Sequence, residues 1–217
     1  MADPNTHRYL SLDTEATGLT EDCLLIQLAF VPIDVQEGLV LEESGVEWLV
    51  QCPAFEELKP RLNPWVIEHN EGLIRRANSD GIAVSKLRQE VADYLDSPKI
   101  KKFFGGERPI LLGKSLSALD IPLLTRTFGW EFMNQRFHHH TIDVTGAARF
   151  LIDCGVLPQG TASTSKIIKH YGIREGALHT ALSDAVDMAR IYVKMVDTQR
   201  SVLDPSTSSS RASKKGN

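Results

Sequence analysis

Tyr9-Leu10-Ser11-Leu12 is a short apolar run that ends in two carboxyl groups, Asp13 and Glu15. Side chains alternate along a strand, so the two acids share a face and Thr14 points away. Two carboxylates this close repel each other unless one is protonated or a cation lies between them. A hard divalent cation with oxygen ligands resolves that conflict. The plainer alternative is a surface Asp-x-Glu at a strand end. Ala16-Thr17-Gly18 follows, small enough for a ligand to lie against its backbone. Three further groups fit the same chemistry: Asp120, early in an expected helix, and His179 and Asp184, at the start of the most apolar helix. Asp120 alone would complement a positive helix N-terminus, and His179 alone would be an ordinary loop or core histidine. Asp184 is harder to dismiss, because Leu182, Ala185 and Val186 flank it and a lone buried carboxylate is costly. Taken together, the acids can hold two divalent ions about 3.5–4 Å apart, the arrangement used for in-line phosphoryl displacement. A histidine of near-neutral pKa can take the proton from the attacking water. The chemistry read from the residues is metal-assisted phosphodiester hydrolysis. His138-His139-His140 has the look of a metal cluster, but consecutive residues rarely converge on one ion, so the expectation is a solvated loop.

These groups need a scaffold. The chain has 217 residues, of which 42% are apolar, enough for one domain with a sizeable core. A net charge of −4 argues against a broad basic surface gripping long duplex, though not against a local basic cleft. Cys23, Cys52 and Cys154 are scattered in apolar or strand-like settings, which reads as reduced thiols in a reducing compartment. There is no signal-peptide pattern, and the longest apolar run, Leu24 to Ile33, is too short for a bilayer. The expectation is a cytoplasmic protein without a membrane partner.

Leu24 to Val31 is apolar on both faces, as a central strand is. Gln27 is its odd member; a buried amide needs partners, which the nearby carboxylates could supply. Gly38–Leu41 and Val46–Val50 read as a strand pair or as one interrupted strand. Asn63-Pro64 opens a helix that places Trp65, His69 and Leu73 on one face. Ser85 opens the next, which Ser97-Pro98 stops, and Lys99, Lys101 and Lys102 then read as a solvated loop. Pro109 to Gly113 is a short buried strand, and Ser117 can cap the helix that carries Asp120. Val144, Ala147, Ala148, Leu151 and Ile152 have helical spacing. Gly172 ends a short helix, and the last helix runs from about Thr180 to Val196. Residues 1–7 are expected to be flexible, 8–200 to form the domain, and 201–217, rich in Ser and Lys, to be a disordered tail. The fold class is α/β, a mixed sheet with helices packed on it.

The arrangement resembles the DEDDh family of 3′-to-5′ exonucleases, over roughly Arg8 to Val196. Its first motif is matched by Asp13-Thr14-Glu15-Ala16-Thr17-Gly18-Leu19, its second by Gly113-Lys114 with Asp120, and its third by His179 with Asp184. The resemblance implies a ribonuclease-H-like fold and two Mg²⁺ or Mn²⁺ ions. It makes Asp13, Glu15 and Asp184 ligands, Asp120 a ligand through water, and His179 the general base. It also implies that Leu19 wedges against the terminal base, with the backbone at Ala16, Thr17 and Gly18 against the 3′ nucleotide. Two positions depart from the pattern: Ser115 stands where Asn is frequent, and Leu119 where Phe is. Both bear on substrate contacts more than on metal binding. Part of the chain is similar to oligoribonucleases, through Trp65, through His69 to Leu73, and through His140-Thr141-Ile142-Asp143-Val144-Thr145, which lacks their Arg. Trp65 would then stack on a base, or else pack in the core; His69 and Ser117 complete the expected substrate contacts. The implied substrate is short single-stranded RNA or DNA, cut to nucleoside 5′-monophosphates. The alternatives are a DNA-directed proofreading or repair-type exonuclease and a non-catalytic nucleic-acid-binding module. Such relatives are often homodimers, and the sequence leaves the oligomeric state open.

Overall fold

A computed structural model describes residues 7–173 and 180–204. His179 lies outside the described residues, as do 1–6 and 205–217, which hold most of the expected flexible N-terminus and tail. Strand β1 (Arg8–Ala16) pairs antiparallel with β2 (Leu25–Asp34), setting Ser11 opposite Val31, Asp13 opposite Ala29 and Glu15 opposite Gln27. β2 is buried at every position, as its two apolar faces require. β3 (Leu39–Val40) and β4 (Val46–Leu49) both pair with β2 and flank a 3₁₀ turn at Glu42–Ser44. They are thus one interrupted edge rather than a hairpin of their own. β5 (Ile110–Gly113) runs parallel to β1, and β6 (Thr141–Asp143) parallel to β5. The order is β3-β2-β1-β5-β6, with β4 also on β2, a mixed sheet of the expected α/β class.

Helices α1 (Phe55–Leu58) and α2 (Pro64–Asp80) precede α3 (Val84–Asp96) and α4 (Pro98–Phe103). α2 begins as its sequence predicts: Asn63 accepts from the Val66 amide, and Pro64 occupies the first turn. Ser85 does not open α3, whose N-cap is Ala83. Ser97-Pro98 stops α3 but also starts α4, because the Ser97 hydroxyl accepts from the Ile100 amide. The expected loop of Lys99, Lys101 and Lys102 is therefore helical. α5 (Asp120–Phe128), α6 (Trp130–Arg136), α7 (Val144–Asp153), α8 (Thr164–Tyr171) and α9 (Ala181–Leu203) complete the described elements. Gly172 ends α8 in the left-handed conformation, φ 59°, which suits a residue without Cβ. α9 continues to Leu203, beyond the expected end near Val196.

The sheet is covered on both faces. Leu10, Leu12, Phe30 and Leu111 pack with Leu87 and Val91 of α3 and Leu123 and Phe128 of α5. Ile33 and Leu112 pack with Val144 and Ala148 of α7, Ile167 of α8 and Met188 and Ile191 of α9. Each fully buried side chain of this size stabilises the fold by about 1.5–3 kcal/mol. Among the described residues no helix is long and apolar enough to cross a membrane. Cys23 and Cys52 are buried, whereas Cys154 is exposed at the C-terminal cap of α7, unlike the apolar setting expected for it.

Candidate metal and active site

Alternation decides what β1 offers to each side. Ser11 faces α9 and its hydroxyl donates to the Ala185 carbonyl at 2.7 Å. Thr14, on the opposite face, donates to Asp120 at the start of α5. α9 can approach β1 and β2 closely because the meeting side chains are small: Ala181 and Ala185 of the helix lie on Ala29 and Val31 of the sheet. The first turn of α9 is then fixed by three acceptors. The Thr180 hydroxyl accepts from the Ser183 amide at 3.2 Å and forms a capping box with that residue. Gln27 Oε1 accepts from the Ala181 amide at 3.2 Å, and Glu47 Oε1 from the Leu182 amide at 2.8 Å. Amides that a helix start leaves unpaired are thereby satisfied from β2 and β4. The partner of buried Gln27 is thus the helix backbone, not the carboxylates that the sequence suggested.

The consequence is convergence. One carboxylate oxygen from each of Asp13, Glu15 and Asp184 lies within 4.8 Å of the others. Asp120 reaches the end of β1 from the other face, buried, accepting the Thr14 hydroxyl at 2.6 Å. Four acids from β1, α5 and α9 therefore meet at one end of the sheet. β5 comes close enough for this because of Gly113, where a Cβ would stand 2.8 Å from the Leu12 carbonyl. Beyond it Ser115 has φ 51°, a left-handed conformation that Asn adopts more readily than Ser.

The site holds more negative charge than it balances. Burial first, then Asp120, Glu15 and Asp184, push the Asp13 carboxyl well above the usual range, with Lys114 opposing. Burial, with Asp184, Asp120 and Glu47 behind it, raises Glu15 to about 7. Asp120 is raised to about 6 by burial, against the hydrogen bond from Thr14. Hard oxygen donors carrying such unrelieved repulsion fit a Mg²⁺- or Mn²⁺-class cation.

Ala16 to Leu19 follow directly on Glu15 at the end of β1. Ala16 and Thr17 are buried; the Thr17 amide donates to the Leu24 carbonyl, and its hydroxyl accepts from the Leu24 amide. This closes the loop and leaves Leu19 81% exposed beyond Gly18. Trp65 is 60% exposed, so it is not a core residue, and its ring stacks on His69 with centroids 4.5 Å apart. A cavity of about 70 Å³ lies between Thr17–Leu24 and Leu58, Arg61 and Leu62, just ahead of α2. Ser117 does not cap α5; it is exposed in the turn before Leu119, the N-cap residue. Thr14, Gln27 and Glu47 had no assigned place among the site residues. Gln27 carried a signal, an amide in an otherwise apolar strand; the other two carried none.

No protein-family model matches the sequence, and no curated protein does. Solved structures share its fold. Cell-death related nuclease 4 (CRN-4) superposes with a TM-score of 0.65 at 17% identity, over 88% of this chain and 64% of that one. This chain thus spans less than two thirds of CRN-4. The nuclease domain of 3′hExo, a DEDDh family member bound to rAMP, gives 0.62 at 17% identity, over 90% and 94% of the two chains. E. coli exonuclease I in complex with a 5cy-dT13 oligonucleotide gives 0.63 at 18% identity, over 91% and 41%. The chain has the ribonuclease-H-like α/β fold that these nuclease structures share.

Proposed function

We propose that the protein is a divalent-metal-dependent 3′-to-5′ exonuclease that removes nucleoside 5′-monophosphates from short single-stranded RNA or DNA. The observation that carries this reading is the convergence of Asp13, Glu15 and Asp184, with Asp120 beside them, at one end of an exonuclease fold. Structures of that fold include one bound to rAMP and one with a dT13 oligonucleotide, which supports a nucleic-acid substrate. Asp13, Glu15 and Asp184 would hold the Mg²⁺ or Mn²⁺ ions, and Asp120 would assist from the α5 side. Bound there, the ions balance charge on the attacking and leaving oxygens of the phosphodiester. His179, next in sequence to the Thr180 cap, takes the proton from the attacking water. Leu19 and Trp65 present apolar surface to unstacked bases, while the backbone of Ala16, Thr17 and Gly18 lies along the terminal nucleotide; His69 and Ser117 are further contacts. The three free thiols suit a cytoplasmic protein.

The test is a panel of two- to twenty-residue RNA and DNA strands, labelled at either end, with Mg²⁺ or Mn²⁺ and with chelator. Stepwise release of mononucleotides from the 3′ end, abolished by chelator, is expected. Internal cuts alone, or chelator-insensitive release, would refute the reading.

A further inference from the structure

We propose that His138, His139 and His140 form a second metal site, for a borderline cation such as Zn²⁺ or Ni²⁺, at the opposite end of the sheet from the carboxylates. The sequence suggests a solvated loop, since successive side chains diverge in both strand and helix. The structure has that exposed loop, and in it one ligating nitrogen from each imidazole lies within 4.8 Å of the others. The ring centroids stand 4.3, 4.7 and 4.2 Å apart. Both flanks of the loop are fixed. Phe137 is buried in the core before it, the His138 amide donates to the Pro109 carbonyl at 2.9 Å, and β6 begins at Thr141. The chain bends at Phe137 and again at His139.

This place is distinct from the acidic cluster. Thr141 pairs with Leu111 and Tyr9 with Ile110, so the triplet sits where β1, β5 and β6 begin. Asp13 lies four residues further along β1, about 13 Å at 3.3 Å per residue. The donor chemistry differs as well. Carboxylates suit Mg²⁺ and Mn²⁺, whereas imidazole suits Zn²⁺, Ni²⁺ and Cu²⁺. Three imidazoles and one water make an ordinary tetrahedral zinc shell, and His139 and His140 are exposed, so water can supply the fourth ligand. Rearrangement is required: the His138 and His139 rings are stacked with their planes 28° apart, so one must rotate to aim its in-plane nitrogen at a shared ion. His138 Nδ1 accepts from the His140 amide at 3.1 Å; ligation through Nδ1 displaces that amide, and ligation through Nε2 needs the tautomer with Nδ1 protonated, which releases it as well. The bound ion would clip the end of α6 to the start of β6. None of this depends on the nuclease reading.

The experiment is calorimetric titration of the metal-free full chain with ZnCl₂, in the wild type and in an Asp13→Asn/Asp184→Asn background that disables the acidic cluster. One equivalent bound at micromolar or tighter Kd is expected in the Asp13→Asn/Asp184→Asn background, where His139→Gln/His140→Gln should weaken binding at least tenfold, and the wild type should bind at least that equivalent. X-ray absorption of the zinc-loaded acidic-cluster variant should then show three imidazole nitrogens at about 2.0–2.1 Å. Thermal unfolding in chelator checks that the histidine variant folds, and single His139→Gln serves in its place if it does not. No zinc bound in the acidic-cluster variant, zinc binding unchanged by the histidine substitutions, or fewer than three imidazole ligands would overturn the proposal.

Discussion

Glu15→Gln should stabilise the metal-free protein at pH 8 while abolishing its activity. Burial and the neighbouring acids Asp184, Asp120 and Glu47 move the Glu15 carboxyl from an ordinary 4.5 to about 7. At about 1.4 kcal/mol per tenfold change, that displacement corresponds to ~3 kcal/mol of unfavourable ionisation in the folded state. Glu15 keeps some contact with solvent and shares its repulsion with Asp13, so about 1–2 kcal/mol is the expected gain from removing its charge. The folded state holds this proton more tightly than the unfolded chain does. The site therefore favours folding most below about pH 4.5 and loses that contribution as pH rises through about 7. For a domain of this size, 1–2 kcal/mol raises Tm by roughly 2–8 °C. Melts of wild type and Glu15→Gln in chelator should differ by that amount at pH 8 and by much less at pH 5. Mn²⁺ should then raise the Tm of the wild type, in proportion to the logarithm of ion concentration above Kd, and leave the variant nearly unmoved. A variant less stable than wild type at pH 8, or a difference independent of pH, would refute the electrostatic reasoning.

Gln27→Leu strands the Ala181 amide in the core, at a cost of about 1–3 kcal/mol in urea unfolding, and Mn²⁺ affinity should fall with it; Gln27→Glu, which keeps an acceptor, should lose less. His179→Ala should lower kcat by roughly 10²–10⁴-fold with calorimetric metal affinity unchanged, and parallel loss of both would rule out a general-base role. Trp65→Ala should weaken oligonucleotide binding by about 1–3 kcal/mol per stacked base, read as a raised KM. Because Trp65 is exposed, its removal should change stability by no more than about 0.5 kcal/mol, a split that denaturant melts and kinetics can check together.

What was legible in the sequence was mostly local. Alternation placed Asp13 and Glu15 on one face, Asn63-Pro64 marked the start of α2, and Gly172 marked the end of α8. What was not legible depends on long-range topology. Gln27 meets Ala181 across 154 residues, and Thr14 meets Asp120 across 106, so no local pattern shows either pair. Ser11, Ala29, Ala181 and Ala185 read as unremarkable small residues, yet their size lets α9 bring Asp184 to the strand ends. The end of α9 was hidden for another reason: Val202 and Leu203 are exposed, so no apolar stripe carries the helix past Val196. Similarly, nothing in three consecutive histidines encodes the approach of their ring nitrogens to within 4.8 Å of one another.

Anomalous diffraction from crystals soaked in Mn²⁺ measures the ion directly. Density touching carboxylate oxygens of both β1 and α9, lost in Asp184→Asn, is the result expected here. Fully soaked crystals that diffract well, show Asp13, Glu15 and Asp184 clearly and contain no anomalous peak among them would contradict it.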